Sequence, residues 1–187
     1  MCNACETPSQ GLIGRRQILG FASMLAGGAV LGLTSGQALA DECAPFLADA
    51  QAAATPDQAI QFLAEGNARF AAGESLNCDL LGEMAATAEK QTPFAALFGC
   101  ADSRLSAEII FDVGLGDLFV VRNAGQVIGE TILGSLEYAV EVLGVPIILV
   151  LGHDECGAIR ATINDVEGNM NASGEFIHKL VAQIRPT

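Results

Sequence analysis

Three short apolar runs in the second half of the chain limit the fold more than any other feature. They are FAALFG (94–99), LFVVRN (118–123) and PIILVLG (146–152), and each is too short for a buried helix but suits a strand covered on both faces. Between the last two runs, ETILGSLEYAVEVLG (130–144) has apolar residues at helical spacing. Strands that alternate with helices form parallel sheets, so we predict an α/β fold with a mostly parallel β-sheet flanked by helices.

The region before these runs predicts two helices. In the first, Thr55 is placed as the N-cap, Pro56 as the first helical residue and Gln58 as the partner that completes a capping box. Gly73 is placed to end this helix. A second, shorter helix is predicted within residues 78–90.

The first 40 residues are typical of an export signal. Arg15 and Arg16 precede a Gly- and Ala-rich apolar stretch, and the small residues ALA (38–40) suit a signal peptidase. This pattern resembles a twin-arginine signal. A membrane anchor is the alternative, but the apolar stretch would span a bilayer poorly. We therefore predict a twin-arginine-type signal peptide (1–40), one exported domain (41–187), and a periplasmic or secreted location in a bacterium.

The charge distribution limits the choice of partners. The formal net charge is −13, and the basic residues form no cluster. Because binding to phosphates needs concentrated positive charge, we predict no nucleic-acid partner. The same acidity argues against adsorption to an anionic membrane, so we predict no stable membrane association after signal cleavage.

Two of the six cysteines, Cys2 and Cys5, lie in the predicted signal peptide. In an oxidising compartment Cys43 and Cys78 can form a disulfide that ties the N-terminal segment to the domain. Two unpaired thiols fit the sequence equally well, because sequence does not give the distance between them.

Polar residues follow the first and third apolar runs, as GCADSR and GHDEC. The carboxyl ends of parallel strands meet at one edge of a sheet, so we expect Cys100, His153 and Cys156 to converge there. Two cysteines and one histidine leave one tetrahedral position free, which is typical of a catalytic zinc site. A fourth protein ligand would make the site structural, but the other histidine, His178, lies in a segment that predicts a helix. Cys43 or Cys78 could also close the site, but neither lies in a loop that follows a predicted strand.

Asp102 and Arg104 lie in the same predicted loop as Cys100. Asp102 can take the fourth metal position or accept a hydrogen bond from a metal-bound water, and Arg104 can hold it in one role with a two-pronged ion pair. We interpret Asp154 and Glu155 as spacers of lesser importance.

The motif CADSR, followed by FVVRNAG, GSLEYAVEVLGV and GHDECGA, resembles the β-class carbonic anhydrases between Gln91 and Ile163. The resemblance implies a β-carbonic anhydrase-like fold and a zinc-dependent carbonic anhydrase domain over 41–187, which hydrates carbon dioxide reversibly to bicarbonate and a proton. It implies that the Zn²⁺ ligands are Cys100, His153 and Cys156. It also implies that Asp102 and Arg104 form a catalytic dyad.

The resemblance also implies a narrow substrate pocket formed by Gln91, Phe119 and Tyr138, partly across the interface of a homodimer or dimer-based oligomer. Without the resemblance, core packing is the preferred interpretation of Phe119 and Tyr138. Some relatives bind regulatory bicarbonate near a Trp, Arg and Tyr; Arg122 matches, but Leu97 stands at the Trp position, so we do not predict this regulation. Family members normally continue beyond the position of Thr187, so we expect a C-terminally short domain.

Three other functions remain open at this point. One is a non-catalytic zinc-binding protein of the same fold. Another is a hydrolase of carbon disulfide or carbonyl sulfide, since relatives on this fold use similar ligands. The third is a thiol redox protein that uses Cys100 or Cys156, although a bound metal would protect these thiolates.

Overall fold

The computed structural model describes residues 48–76 and 78–185. The predicted signal peptide and Cys43 therefore lie outside the described residues. In the described part of the chain, no helix combines the length and apolar character needed to cross a membrane.

Ten regular elements follow one another along the described chain, together with a 3₁₀ turn at Ala124–Gln126. In chain order they are α1 (Ala48–Ala53), α2 (Pro56–Ala72), α3 (Leu80–Ala86), β1 (Ala95–Cys100), α4 (Ala107–Ile110), β2 (Leu118–Asn123), α5 (Glu130–Glu141), β3 (Ile148–Leu151), α6 (Gly157–Val166) and α7 (Glu175–Ile184).

The ends of α2 confirm the predicted capping. The Thr55 hydroxyl accepts a hydrogen bond from the Gln58 backbone N–H, and the Gln58 side chain accepts one from the Thr55 N–H in return. Gly73 ends the helix in the left-handed conformation, with φ of 73°. The second predicted helix is shorter than expected, because Asp79 caps its start and Thr87 ends it.

The three strands form a parallel sheet in the order β2-β1-β3. In the central strand, Ala96 pairs with Phe119 on one side and with Ile148 on the other. Helix α5 connects β2 to β3, as its apolar spacing predicts. The mostly parallel sheet with flanking helices is thus confirmed.

Helices cover both faces of β1, and every residue of this strand is buried. One face packs Ala95 and Leu97 with Ala59 and Leu63 of α2, and the other packs Ala96 with Ala139 of α5. Because helices cover both faces, the sequence of β1 is a continuous apolar run.

The expectation of burial on both faces is wrong for β3. Ile148 and Val150 are 42% and 63% exposed. Among the described residues β3 pairs only with β1, so it is an edge strand, and alternate side chains on it point away from the core.

Candidate metal centre

Three ligand-type side chains meet at the carboxyl edge of the sheet. Cys100 is the last residue of β1, and His153 and Cys156 lie in the loop between β3 and α6. One donor atom from each of the three lies within 4.8 Å of the others. The parallel arrangement of β1 and β3 brings these residues together, because both strands end at this edge.

The spacing of the two thiols fits zinc. Cys100 Sγ and Cys156 Sγ are 3.8 Å apart, and both cysteines are free. Two thiolates that each lie about 2.3 Å from a tetrahedral zinc are about 3.8 Å apart. A disulfide would instead need about 2.05 Å. The pair therefore has the geometry of two metal ligands.

The His153 ring presents a free nitrogen to the same group. Its Nδ1 lies 2.9 Å from the Asp154 carbonyl oxygen, which only accepts, so Nδ1 carries the proton. Its Nε2 is buried and has no hydrogen-bond partner. A buried nitrogen without a partner is costly unless it binds something, so Nε2 is suited to a metal.

Asp102 and Arg104 form a two-pronged ion pair beside this group. Arg104 Nε and Nη2 donate to the two carboxylate oxygens at 2.9 and 2.8 Å, and the Arg104 backbone N–H donates to Oδ1. These hydrogen bonds hold the pKa of Asp102 well below its usual range, and Asp102 in turn raises the pKa of Arg104. Asp102 is therefore an ionised acceptor across the physiological pH range.

Asp102 lies near the three ligands but outside their group. Its Oδ2 is 4.0 Å from His153 Nε2. Neighbouring oxygen and nitrogen ligands of a tetrahedral zinc would be about 3.4 Å apart. Because Arg104 binds both oxygens, the structure favours the hydrogen-bonding role of Asp102 over the metal-ligand role.

The Cys100 thiol has several hydrogen-bonding neighbours. Its burial opposes ionisation and so raises the pKa, but the hydrogen bond from the Gly125 backbone N–H, together with the polar groups of His153, the Asp102 backbone and Cys156 around the sulfur, outweighs burial. The net pKa falls from 9.0 to about 7. The neighbouring Cys100 thiol in turn raises the pKa of His153. This environment favours the thiolate that binds metals.

Arg122 holds the ligand loop from the neighbouring strand, a role that the sequence did not predict. Its Nε donates to the Cys100 carbonyl at 2.8 Å and its Nη2 to the Asp102 carbonyl at 2.7 Å. A charged residue at the end of an otherwise apolar strand is the signal that could have indicated it. Arg122 pairs with Gly99 in the sheet, which places it beside the start of this loop.

Glu155 is more than a spacer. It adopts the left-handed conformation, with φ of 55°, between His153 and Cys156. Its carbonyl accepts a hydrogen bond from Arg104 Nη2 at 3.3 Å, and its side chain forms an ion pair with Arg160. Arg104 therefore links the Asp102 loop to the loop that carries the other two ligands.

The predicted pocket residues lie away from the metal ligands within one chain. The Phe119 and Tyr138 rings contact each other, with centroids 6.0 Å apart. Phe119 pairs with Ala96, about 13 Å along β1 from Cys100. Gln91 is exposed and precedes β1, so it lies at the opposite end of this strand from Cys100.

The remaining candidate ligands do not join the described group. His178 is exposed on α7, as the helical interpretation of its segment predicts. Cys78 is disulfide-bonded. Its proposed partner Cys43 lies outside the described residues, so the Cys43–Cys78 pairing stays a prediction.

The fold and this site define an α/β protein with a Cys-His-Cys group that could hold a metal at the carboxyl edge of a parallel sheet. A protein-family profile described as carbonic anhydrase matches residues 95–187, the range that contains all three of these residues. A carbonic anhydrase of Mycolicibacterium smegmatis is 49% identical over 133 residues, and carbonic anhydrase 2 of Mycobacterium tuberculosis is 48% identical over the same length. Over these residues the chain is similar to carbonic anhydrases.

These two alignments cover 71% of this chain and 64% of each relative. The chain thus spans somewhat less than two thirds of the length of the curated relatives that it matches. Among solved structures, a Coccomyxa β-carbonic anhydrase in complex with acetazolamide is 30% identical, with a TM-score of 0.46; the match covers 52% of this chain and 44% of that one.

Proposed function

We propose that this protein is a zinc-dependent carbonic anhydrase, which interconverts carbon dioxide and bicarbonate. The observation that carries the proposal is the Cys100, His153 and Cys156 group, whose sulfur spacing of 3.8 Å suits tetrahedral zinc. The similarity to carbonic anhydrases over 133 residues supports the reaction class. A zinc ion held by these residues would supply a nucleophile at neutral pH by lowering the pKa of bound water.

Asp102 orients the nucleophile in this proposal. Arg104 occupies Oδ1 with two hydrogen bonds but gives Oδ2 only one, so Oδ2 keeps acceptor capacity on the side that faces His153. With its pKa held low, Asp102 cannot donate a proton near neutral pH. It would instead accept a hydrogen bond from the nucleophile and so fix its orientation toward carbon dioxide.

Stopped-flow carbon dioxide hydration, with zinc quantified per chain, tests the proposal. We expect one zinc per chain and a hydration rate well above that of buffer. One zinc per chain without a rate would instead identify a zinc-binding protein without this activity. Asp102→Asn is the matched variant, since it should keep the zinc and lose most of the rate.

We also propose that the active unit is a homodimer in which a second copy completes each site. The distance of Phe119 and Gln91 from Cys100 within one chain supports this, since a pocket at the metal would then need these residues from a neighbour. Exposed apolar surface also supports a dimer, because interfaces bury such surface. Tyr138 is 43% exposed and Val150 is 63% exposed.

Subunit complementation tests the dimer. Phe119→Ala chains keep their metal ligands, and His153→Ala chains keep Phe119, so each variant alone should be nearly inactive. Co-expressed in equal amounts, they should recover about a quarter of the wild-type activity, because half of the dimers would contain one complete site of two. Sedimentation equilibrium would measure the assembly directly, and a monomer with full activity would contradict the proposal.

We propose in addition that the chain is exported and works outside the cytoplasm. The paired Arg15 and Arg16, the apolar stretch and the small residues before Asp41 support export. Arg15→Lys with Arg16→Lys should hold the protein in the cytoplasm at full length. N-terminal sequencing of the exported wild-type protein should begin at Asp41, and unchanged export of the double variant would contradict the twin-arginine route.

A further inference from the structure

A backbone N–H group contacts the sulfur of the buried ligand. The Gly125 nitrogen lies 3.4 Å from Cys100 Sγ and donates a hydrogen bond to it. Gly125 has φ of 74° within the 3₁₀ turn, a conformation that glycine adopts without the strain that a side chain would cause. Thiolates donate more negative charge to a metal than the other ligand types of this group. A hydrogen-bond donor to the sulfur therefore changes how much charge the sulfur donates to the metal.

The Asn123 side chain holds this turn in place. Its Nδ2 donates to the Val127 carbonyl at 2.6 Å, and its Oδ1 accepts from the Val127 N–H at 2.8 Å. The two bonds close a ring around Gly125. The Asn123 carbonyl also accepts from the Ala101 N–H at 2.9 Å, which ties the turn to the residue that follows Cys100.

Two helices pack against the other side of Gly125. A Cβ at this position would lie 2.6 Å from Ile184 Cδ1 and 2.9 Å from Ala158 Cβ, and the first distance is well inside van der Waals contact. Ala158 belongs to the first turn of α6, the helix that begins at Gly157, directly after Cys156. The turn is therefore fixed from three sides: by Asn123, by α6 and by α7.

We propose that Gly125, held by Asn123, is a positioning residue that hydrogen-bonds the Cys100 thiolate and limits the charge that this sulfur donates to the metal. The inference rests on the proposed metal site and assigns a hydrogen-bond donor to one of its ligands. Two thiolate ligands oppose the acidity of a metal-bound water, so an N–H group on one of them offsets part of that effect.

Cobalt-substituted protein tests the proposal through the sulfur-to-cobalt charge-transfer band. A hydrogen bond lowers the energy of the sulfur lone pairs, so its loss should move the band to longer wavelength. Asn123→Ala removes both bonds to Val127 and should give the full shift. Asn123→Asp keeps an acceptor for the Val127 N–H and should give a smaller one. Zinc affinity should fall about 10- to 100-fold in Asn123→Ala.

Asn67→Ala is the matched control, because it removes an asparagine hydrogen bond to the Ile110 carbonyl, away from the metal ligands. It should leave both the band and the zinc affinity unchanged. Gly125→Ala is a second, independent variant, since its Cβ displaces the turn; it should shift the band in the same direction.

The outcomes separate the two proposals. Wild-type protein that binds cobalt without any thiolate band would overturn the metal site itself. A wild-type band that stays in place in both Asn123→Ala and Gly125→Ala, even with weaker zinc binding, would overturn the role of Gly125 alone, because it would show that the turn supports the loop without acting on the sulfur.

Discussion

Arg104 donates to both carboxylate oxygens of Asp102, at 2.9 and 2.8 Å. A planar guanidinium matches a carboxylate with two parallel hydrogen bonds, which fix the direction of the carboxylate as well as its charge. The same guanidinium reaches the Glu155 carbonyl. One side chain thus sets the orientation of Asp102 relative to the loop that carries His153 and Cys156.

Asp102→Asn should lower kcat/KM for carbon dioxide hydration by about 10²- to 10³-fold with zinc content unchanged, because the amide keeps the shape but loses the charge. Arg104→Lys should cost about tenfold, since an ammonium cannot make both parallel bonds. Stopped-flow kinetics on zinc-quantified protein measures both. Equal rates in Asp102→Asn and wild type would remove Asp102 from the mechanism.

The two histidines of the chain provide a matched pair for the metal site. His153→Ala should lower zinc affinity by more than about 100-fold, a larger loss than that from an outer hydrogen-bonding partner. His178→Ala should retain wild-type affinity, because His178 is exposed on α7. Competition with a chromophoric chelator measures both. Similar losses in the two variants would contradict the assigned ligand set.

Zinc binding should weaken as the pH falls below about 7. The pKa of Cys100 is about 7, so above this pH the thiolate is ready for the metal and below it a proton competes. The raised pKa of His153 adds a second competing proton. Affinity should therefore fall by about tenfold per pH unit for each displaced proton. Calorimetry in buffers of different ionisation enthalpy counts these protons, and constant affinity between pH 5 and 8 would contradict the prediction.

Arg69→Ala should destabilise the fold by about 2–4 kcal/mol, because it leaves a buried carboxylate without its cationic partner. Arg69 Nε lies 2.6 Å from Asp112 Oδ2, and the Asp112 side chain is only 7% exposed. Lys179→Ala is the control, since its ion pair with Glu175 is exposed and should contribute less than about 0.5 kcal/mol. Urea unfolding followed by circular dichroism compares them, and equal midpoints would contradict the prediction.

Local sequence patterns predicted much of the architecture. The capping residues Thr55 and Gln58 and the terminal Gly73 act within a few positions of one another, so they identify α2 without any knowledge of the tertiary structure. The apolar runs likewise identified the strands, and their alternation with a helical segment predicted parallel pairing. That pairing was enough to bring Cys100 and His153 to one edge.

The tertiary structure decided what depends on neighbours distant in sequence. The exposed side chains of β3 follow from its position at the sheet edge, which an apolar run does not reveal. The hold of Arg122 on the Cys100 loop and the contact of Gly125 with Cys100 Sγ each need a separate strand or turn at hydrogen-bond distance. Sequence thus determined which residues are able to bind a metal or form these hydrogen bonds, because residue type fixes donor and acceptor character. Only folding determined their orientation, because hydrogen bonds depend on distances and angles that the packed chain sets.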